Sequence, residues 1–183
     1  MWLSTMVVMS DPLESSSVTT QQREVNHHAF IQMTAQEASA ILKDATTALQ
    51  TKDGPGDMAC DVVMALKGMI VPPFVAPINL NGPPDMEKLE KLSGDVKVVT
   101  KINWCYREGL KPNMLGCAPI PGKFIVVVRR PEIQDQEGIL WLHEYGHNKG
   151  LDHRNDTNAV MNETLALHRR YVDATECAMY QKQ

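Results

Sequence analysis

Apolar positions recur along this chain with two different periods, and each period predicts an element. "TAQEASAILKDATTALQTKDGPG" carries Ala, Ile and Leu at helical spacing, opens on Thr34 with Glu37 three residues later, and runs into Gly-Pro-Gly. A capping box at the start and a glycine stop at the end predict a helix that begins after Thr34. "DVKVVTKINWCY" alternates and is β-branched, which predicts one strand; "KFIVVVRR" is a continuous apolar run, as expected of a strand buried on both faces. "ACDVVMALKGMIV" fits strand or helix equally well. The stretch "PPFVAPINLNGPPD" after it is expected to be loop or edge structure, because proline cannot donate to a ladder. A second helix is expected from about Asp135 to Lys149. Residues 10–26 are polar and rich in Ser and Thr, which reads as a mobile lead-in. The expected organisation is a flexible segment over 1–30, either a pro-segment or a remnant, and one catalytic domain over 31–183. Helix and strands together predict an α/β (α+β) arrangement in one layered core.

Composition narrows the function classes. The chain has 183 residues, 43% of them hydrophobic, and a formal net charge of −4, enough for one sizeable core. No run of five basic residues occurs, so nothing supplies the positive footprint of a nucleic-acid binder. No apolar run approaches the roughly 18 residues of a spanning helix, so no membrane span is expected. "MWLSTMVVMS" lacks a basic leader and makes a poor signal peptide. Cys60, Cys105, Cys117 and Cys177 are too far apart for a CxxC knuckle. Buried free thiols and two disulfides carry equal weight. If bridges form, Cys105–Cys117 is favoured, because "CYREGLKPNMLGC" holds Gly, Pro and Asn between strand-like runs and can return the chain on itself; Cys60 then pairs with Cys177.

The chemistry concentrates in "HEYGHNKGLDH", residues 143–153. On a helix, His143 and His147 lie one turn apart on one face, so two imidazoles project toward a single point that can accept Zn2+. Glu144 swings beside that point. A catalytic zinc takes three protein ligands and keeps one position open, and the helix cannot supply the third. Gly150 can adopt the left-handed conformation that ends a helix and turns the chain, which brings His153 back to the same ion. His27, His28 and His168 have no such pattern and read as surface or satisfied core residues.

This segment resembles the signature of the metzincin clan of zinc metallopeptidases, HExxHxxGxxH with a methionine-containing turn after it, here "NDTNAVM" with Met161. The spacing is similar to that of matrixins, and "GLDH" and "AVM" resemble matrixin segments. The resemblance implies a twisted mixed sheet packed with an N-terminal helix, an active-site helix and a C-terminal helix. It implies one catalytic zinc on His143, His147 and His153, Glu144 as general base, and Met161 as a hydrophobic floor. It also implies a monomeric, secreted or extracytoplasmic endopeptidase acting on protein or peptide substrates. "KFIVVVRR" or "GCAPIPG" would pair with an extended substrate, a reading of equal weight with one in which Pro119 and Pro121 simply block the edge against aggregation, and "NETLAL" would wall the pocket. Arg154 after the third histidine departs from matrixins, astacins, reprolysins and serralysins, so the chain reads as a divergent family. Glu163 stands where astacins and serralysins place a tyrosine ligand, so no fifth ligand is expected, and no cysteine lies in a cysteine-switch context. The competing readings are a non-catalytic zinc-stabilised binding module and a zinc amidase acting on a non-protein substrate.

Overall fold

The computed structural model describes residues 18–166 and 168–182. Five strands form one sheet: β1 (Thr19–His27), β2 (Val62–Met69), β4 (Val96–Val99), β7 (Gly116–Cys117) and β8 (Ile125–Val128), in the order β2-β1-β4-β8-β7. All neighbours are parallel except β7, which runs antiparallel to β8 at the sheet edge. Three further strands, β3 (Asn79–Leu80), β5 (Lys101–Cys105) and β6 (Gly109–Met114), make a small sheet in the order β3-β5-β6. Among the described residues four α-helices pack with these sheets: α1 (Ala35–Gln50), α2 (Pro83–Glu90), α3 (Gln134–Asn148) and α4 (Ala174–Gln181). The class is mixed α/β, as the patterning predicts.

The large sheet separates two cores, and its strands serve both because alternate side chains leave a strand on opposite faces. On β8, Ile125 and Val127 join the core under α1 and α3, while Val126 joins Leu80, Met86, Leu89 and Ile102 beneath the small sheet and α2. This double burial is why "FIVVV" has no polar alternation. Helix α1 starts at Thr34 with both capping-box bonds made, Glu37 N donating to Thr34 Oγ1 at 3.2 Å and Thr34 N donating to Glu37 Oε2 at 2.7 Å. It crosses α3 closely at Gly138, where a Cβ would stand 2.8 Å from Ala45 N. The start of α3 is anchored by buried Glu137, whose Oε1 accepts from Arg130 N at 2.6 Å and whose Oε2 pairs with Arg129 at 3.4 Å.

Three sequence expectations are corrected. The polar stretch expected to be mobile contains β1, an internal strand paired with β2 over residues 19–25 and with β4 over residues 25–27. Its buried amides find distant partners: Gln21 accepts from Tyr145 Oη at 2.9 Å and donates to Tyr180 O at 3.2 Å, and Asn26 Nδ2 donates to Ser93 O at 3.0 Å. Residues 1–17 lie outside the described residues. The single strand expected over "DVKVVTKINWCY" is two strands in different sheets, parted at Thr100. The end of "PPFVAPINLNGPPD", expected to be loop or edge structure, instead begins α2, because proline is accommodated in a helix's first turn, where no N–H is needed. The ambiguous "VVMALKGM" is strand β2.

Candidate metal centre

Helix α3 carries His143, Glu144 and His147, all less than a tenth exposed. Each of the two histidines has its Nδ1 2.8 Å from a backbone carbonyl, His143 from Val160 O and His147 from Leu151 O. A carbonyl only accepts, so Nδ1 carries the hydrogen and the lone pair of each neutral ring sits on Nε2. The two Nε2 atoms face each other at 3.1 Å. Two lone pairs at that distance repel unless a cation lies between them, and a tetrahedral zinc with bonds of 2.0–2.1 Å sets its ligand atoms roughly 3.3 Å apart. The residues therefore fit the ion. Burial first, and then the adjoining imidazole of His147, pull His143 down to about 3. Burial likewise lowers His147. Both rings stay neutral, the state a ligand needs.

The third histidine arrives through the backbone. Gly150 has φ +89°. Its N–H donates to His147 O at 2.9 Å and Leu151 N donates to Gly146 O at 3.0 Å, the two bonds of a Schellman stop. The chain then turns back and His153 comes to ring distances of 5.3 Å from His143 and 4.9 Å from His147. The ligand-capable atoms of all three lie within 4.8 Å of one another.

Arg154 ties down the chain beyond His153, a role that its place in the sequence does not signal. Arg154 pairs with Asp173 at 2.8 Å and Glu176 at 3.4 Å at the start of α4, and donates to Tyr171 O at 3.1 Å. Its backbone N–H donates to Met161 O at 2.8 Å, joining the two ends of the loop that carries the third histidine. Met161 is fully buried and packs against α3 at Gly146, between the two histidine turns; Tyr180 Oη lies 3.5 Å from its sulfur.

Glu144 is buried on the other side of the histidines. Burial pushes its carboxyl up to about 8, so it holds a proton more tightly than an exposed glutamate. It lies across Gly116 of β7, an approach that needs a residue without a Cβ. No periodicity in the sequence marks Gly116.

The three histidines, Glu144 and Gly116 line a cleft of about 560 Å3. One wall is the sheet edge and the segment after it, Gly116 to Pro121, and the other is Asn162 to Leu165. Of the two segments expected to meet substrate, "GCAPIPG" borders the cleft, whereas β8 lies inside the sheet between β4 and β7. The β5–β6 hairpin reaches over the cleft, with Cys105 and Cys117 paired at its base, Cα atoms 5.6 Å apart. Arg107 is ion-paired with Asp152, and Lys111 with Glu163 at 3.0 Å. Glu163 is thus engaged by the hairpin. Cys60 pairs with Cys177, so both pairings favoured from the sequence are at disulfide distance. That is compatible with an extracytoplasmic location, and among the described residues no helix is long and apolar enough to cross a membrane. His28, expected to be structural, is buried, with Nε2 2.9 Å from Val75 O and Nδ1 accepting from Phe30 N.

Known structures of metallopeptidase type share this fold. The archaemetzincin from Methanopyrus kandleri matches with a TM-score of 0.58 at 18% identity, over 93% of this chain and 97% of its own. The archaemetzincin from Archaeoglobus fulgidus, solved with malonate, matches at 0.50 and 15% identity, over 87% and 99%. Metalloproteinase-II from Bacteroides fragilis gives 0.52 at 11% identity, over 93% of this chain and 54% of its own. No known family model matches the chain, and no curated protein sequence does. At these identities the likeness establishes an archaemetzincin-like fold.

Proposed function

We propose that the chain is a zinc-dependent endopeptidase. The observation that carries this reading is the convergence of His143, His147 and His153 beside a buried, unligated Glu144 in a cleft bordered by a sheet edge. The three histidines would hold one zinc ion, which when bound supplies Lewis acidity toward a carbonyl and lowers the pKa of water to about 7. A cation held by the adjoining histidines would offset the burial that raises Glu144 and favour its carboxylate, which takes a proton from the attacking water and returns it to the leaving amine. Its position against Gly116 keeps the carboxylate in one orientation, so little reorganisation precedes the transfer. An extended peptide pairs with the outer edge of β7 and the chain just after it, where unpaired backbone groups are available for strand addition. Pro119 and Pro121 limit that pairing to a short register.

A purely structural zinc site closes its fourth position with a protein ligand. Among the described residues the metal-capable group has three members, which favours the enzyme over the binding module. The test is Glu144→Gln. Cleavage of a substrate found in an unbiased peptide library should fall by at least about 10²–10⁴-fold, the usual worth of a positioned proton carrier, while zinc stoichiometry stays at parent level. Near-parent cleavage would overturn the assignment. A zinc-loaded parent inert toward every peptide and protein would favour the module or an amidase.

A further inference from the structure

A second cavity, of about 620 Å3, opens on a different face of α3, lined by Trp141, Tyr145, Asn148 and Lys149 rather than by the histidines. Its floor is apolar, built from Leu42, Met64, Val96 and Ile125 with the two aromatic rings. Its rim carries four cations, Arg23, Lys123, Lys149 and Lys182, and one carboxylate, Asp95. Asp95 is already engaged, accepting from Glu24 N at 2.7 Å. None of the four cations belongs to an ion pair among the described residues. Two of them approach one aromatic ring instead, Arg23 lying 3.9 Å over the Tyr145 ring and Lys149 Nζ 5.2 Å from the same centroid.

Such a cluster runs against the net charge of the whole chain, which is −4. Like charges gathered without counter-charges repel, and an anion that neutralises them is bound more tightly where the walls are apolar and exclude water. Cations on the rim and an apolar floor of ligand-sized volume together specify the occupant's chemistry.

We propose that this cavity is a binding site for a small amphipathic carboxylate, with its apolar body against Trp141 and Ile125 and its charged head among Arg23, Lys149 and Lys182. The site stands apart from the metal cleft and does not rest on the peptidase reading. The two share a wall: Gly122 lines the cavity and donates to Asn148 O at 3.1 Å, while Asn148 Nδ2 donates to Pro119 O of the cleft at 3.1 Å.

Calorimetric titration of the full chain with decanoate, with decanol as uncharged control, tests the proposal. Decanoate should bind at one site per chain, at least about tenfold more tightly than decanol, and more weakly as salt is raised. The double variant Lys123→Gln/Lys182→Gln, changed only at exposed positions, should lose about tenfold in decanoate affinity with an unchanged melting temperature. In a Trp2→Phe/Trp104→Phe background, the emission of Trp141 should shift on titration. Equal binding of decanoate and decanol, no binding of either, or unchanged affinity in the double variant would overturn it.

Discussion

Gly116 on β7 and Glu144 on α3 touch so closely that a Cβ at position 116 would stand 2.6 Å from Glu144 Cγ. The edge of the sheet therefore sets where the carboxylate lies. Replacing Gly116 by Ala forces Glu144 aside without altering a histidine. Peptide cleavage is expected to drop by about 10–100-fold, since displacement of a reacting group by an ångström has that scale of effect, with zinc stoichiometry unchanged. Unchanged kcat/KM in a folded variant would show that the carboxylate is positioned by something else.

Gly150 supports the third histidine through its conformation alone. At φ +89° a side chain is strained, so Gly150→Ala should cost about 1 kcal/mol of stability and tilt the turn that delivers His153. Zinc affinity, measured by competition with a chelator, should fall further than the loss of stability accounts for, and should approach that of His153→Ala. An affinity equal to the parent's would mean that the turn forms without the left-handed residue.

Helix α1 and the histidine helix were legible because their signals are local. A capping box, a glycine stop and an i,i+4 pair need no knowledge of the rest of the chain, and Thr34, Gly150 and His143 with His147 behave accordingly. Strand β1 was illegible for the opposite reason. Gln21 and Asn26 look like surface residues until Tyr145, Tyr180 and Ser93 supply partners, and those lie 124, 159 and 67 positions away. The break at Thr100 was hidden because both strands that it separates are apolar, and only the choice of sheet distinguishes them. In the site, the three histidines have spacing that chemistry demands. Gly116 and Arg154 act through contacts with distant elements, which leave no periodic trace.

Lys97 gives the fold a pH dependence of its own. The residue is 2% exposed, and its ammonium donates to Gly94 O at 2.8 Å and lies 4.1 Å from the Phe124 ring centroid. Burial pulls its pKa down to about 8 from 10.5, against the opposing attraction of Asp95 and Glu90. Between those two values the unfolded chain holds the proton more firmly, so stability should rise with pH across that window, by on the order of 1–3 kcal/mol. Urea unfolding of the parent should show this rise and Lys97→Met should lack it. A parent flat through the window would place the ammonium in contact with water.

The hairpin over the cleft depends on its base. The Cys105–Cys117 pair closes a loop with a sequence separation of 12, and removing it with Cys105→Ser/Cys117→Ser should lower unfolding free energy by about 2–3 kcal/mol. Denaturant unfolding measures that loss directly. Alkylation of four thiols in the unreduced parent, read by intact mass, would instead show that neither bridge forms.

The place of β1 in the middle of the large sheet bears on how the molecule is made. It is the first described strand in chain order, yet its neighbours are residues 62–69 on one side and 96–99 on the other. Its Gln21 accepts from Tyr145 and donates to Tyr180 O and Lys182 O at the far end of the chain, and Tyr180 in turn donates to Leu142 O beside the first histidine. Contacts of such long range make folding slow and cooperative, because chain entropy is lost long before the contacts return it. During synthesis the histidines therefore wait for α4. A chain cut short before Ala174 carries the whole histidine signature without the Glu176 and Tyr180 contacts that hold its surroundings in place.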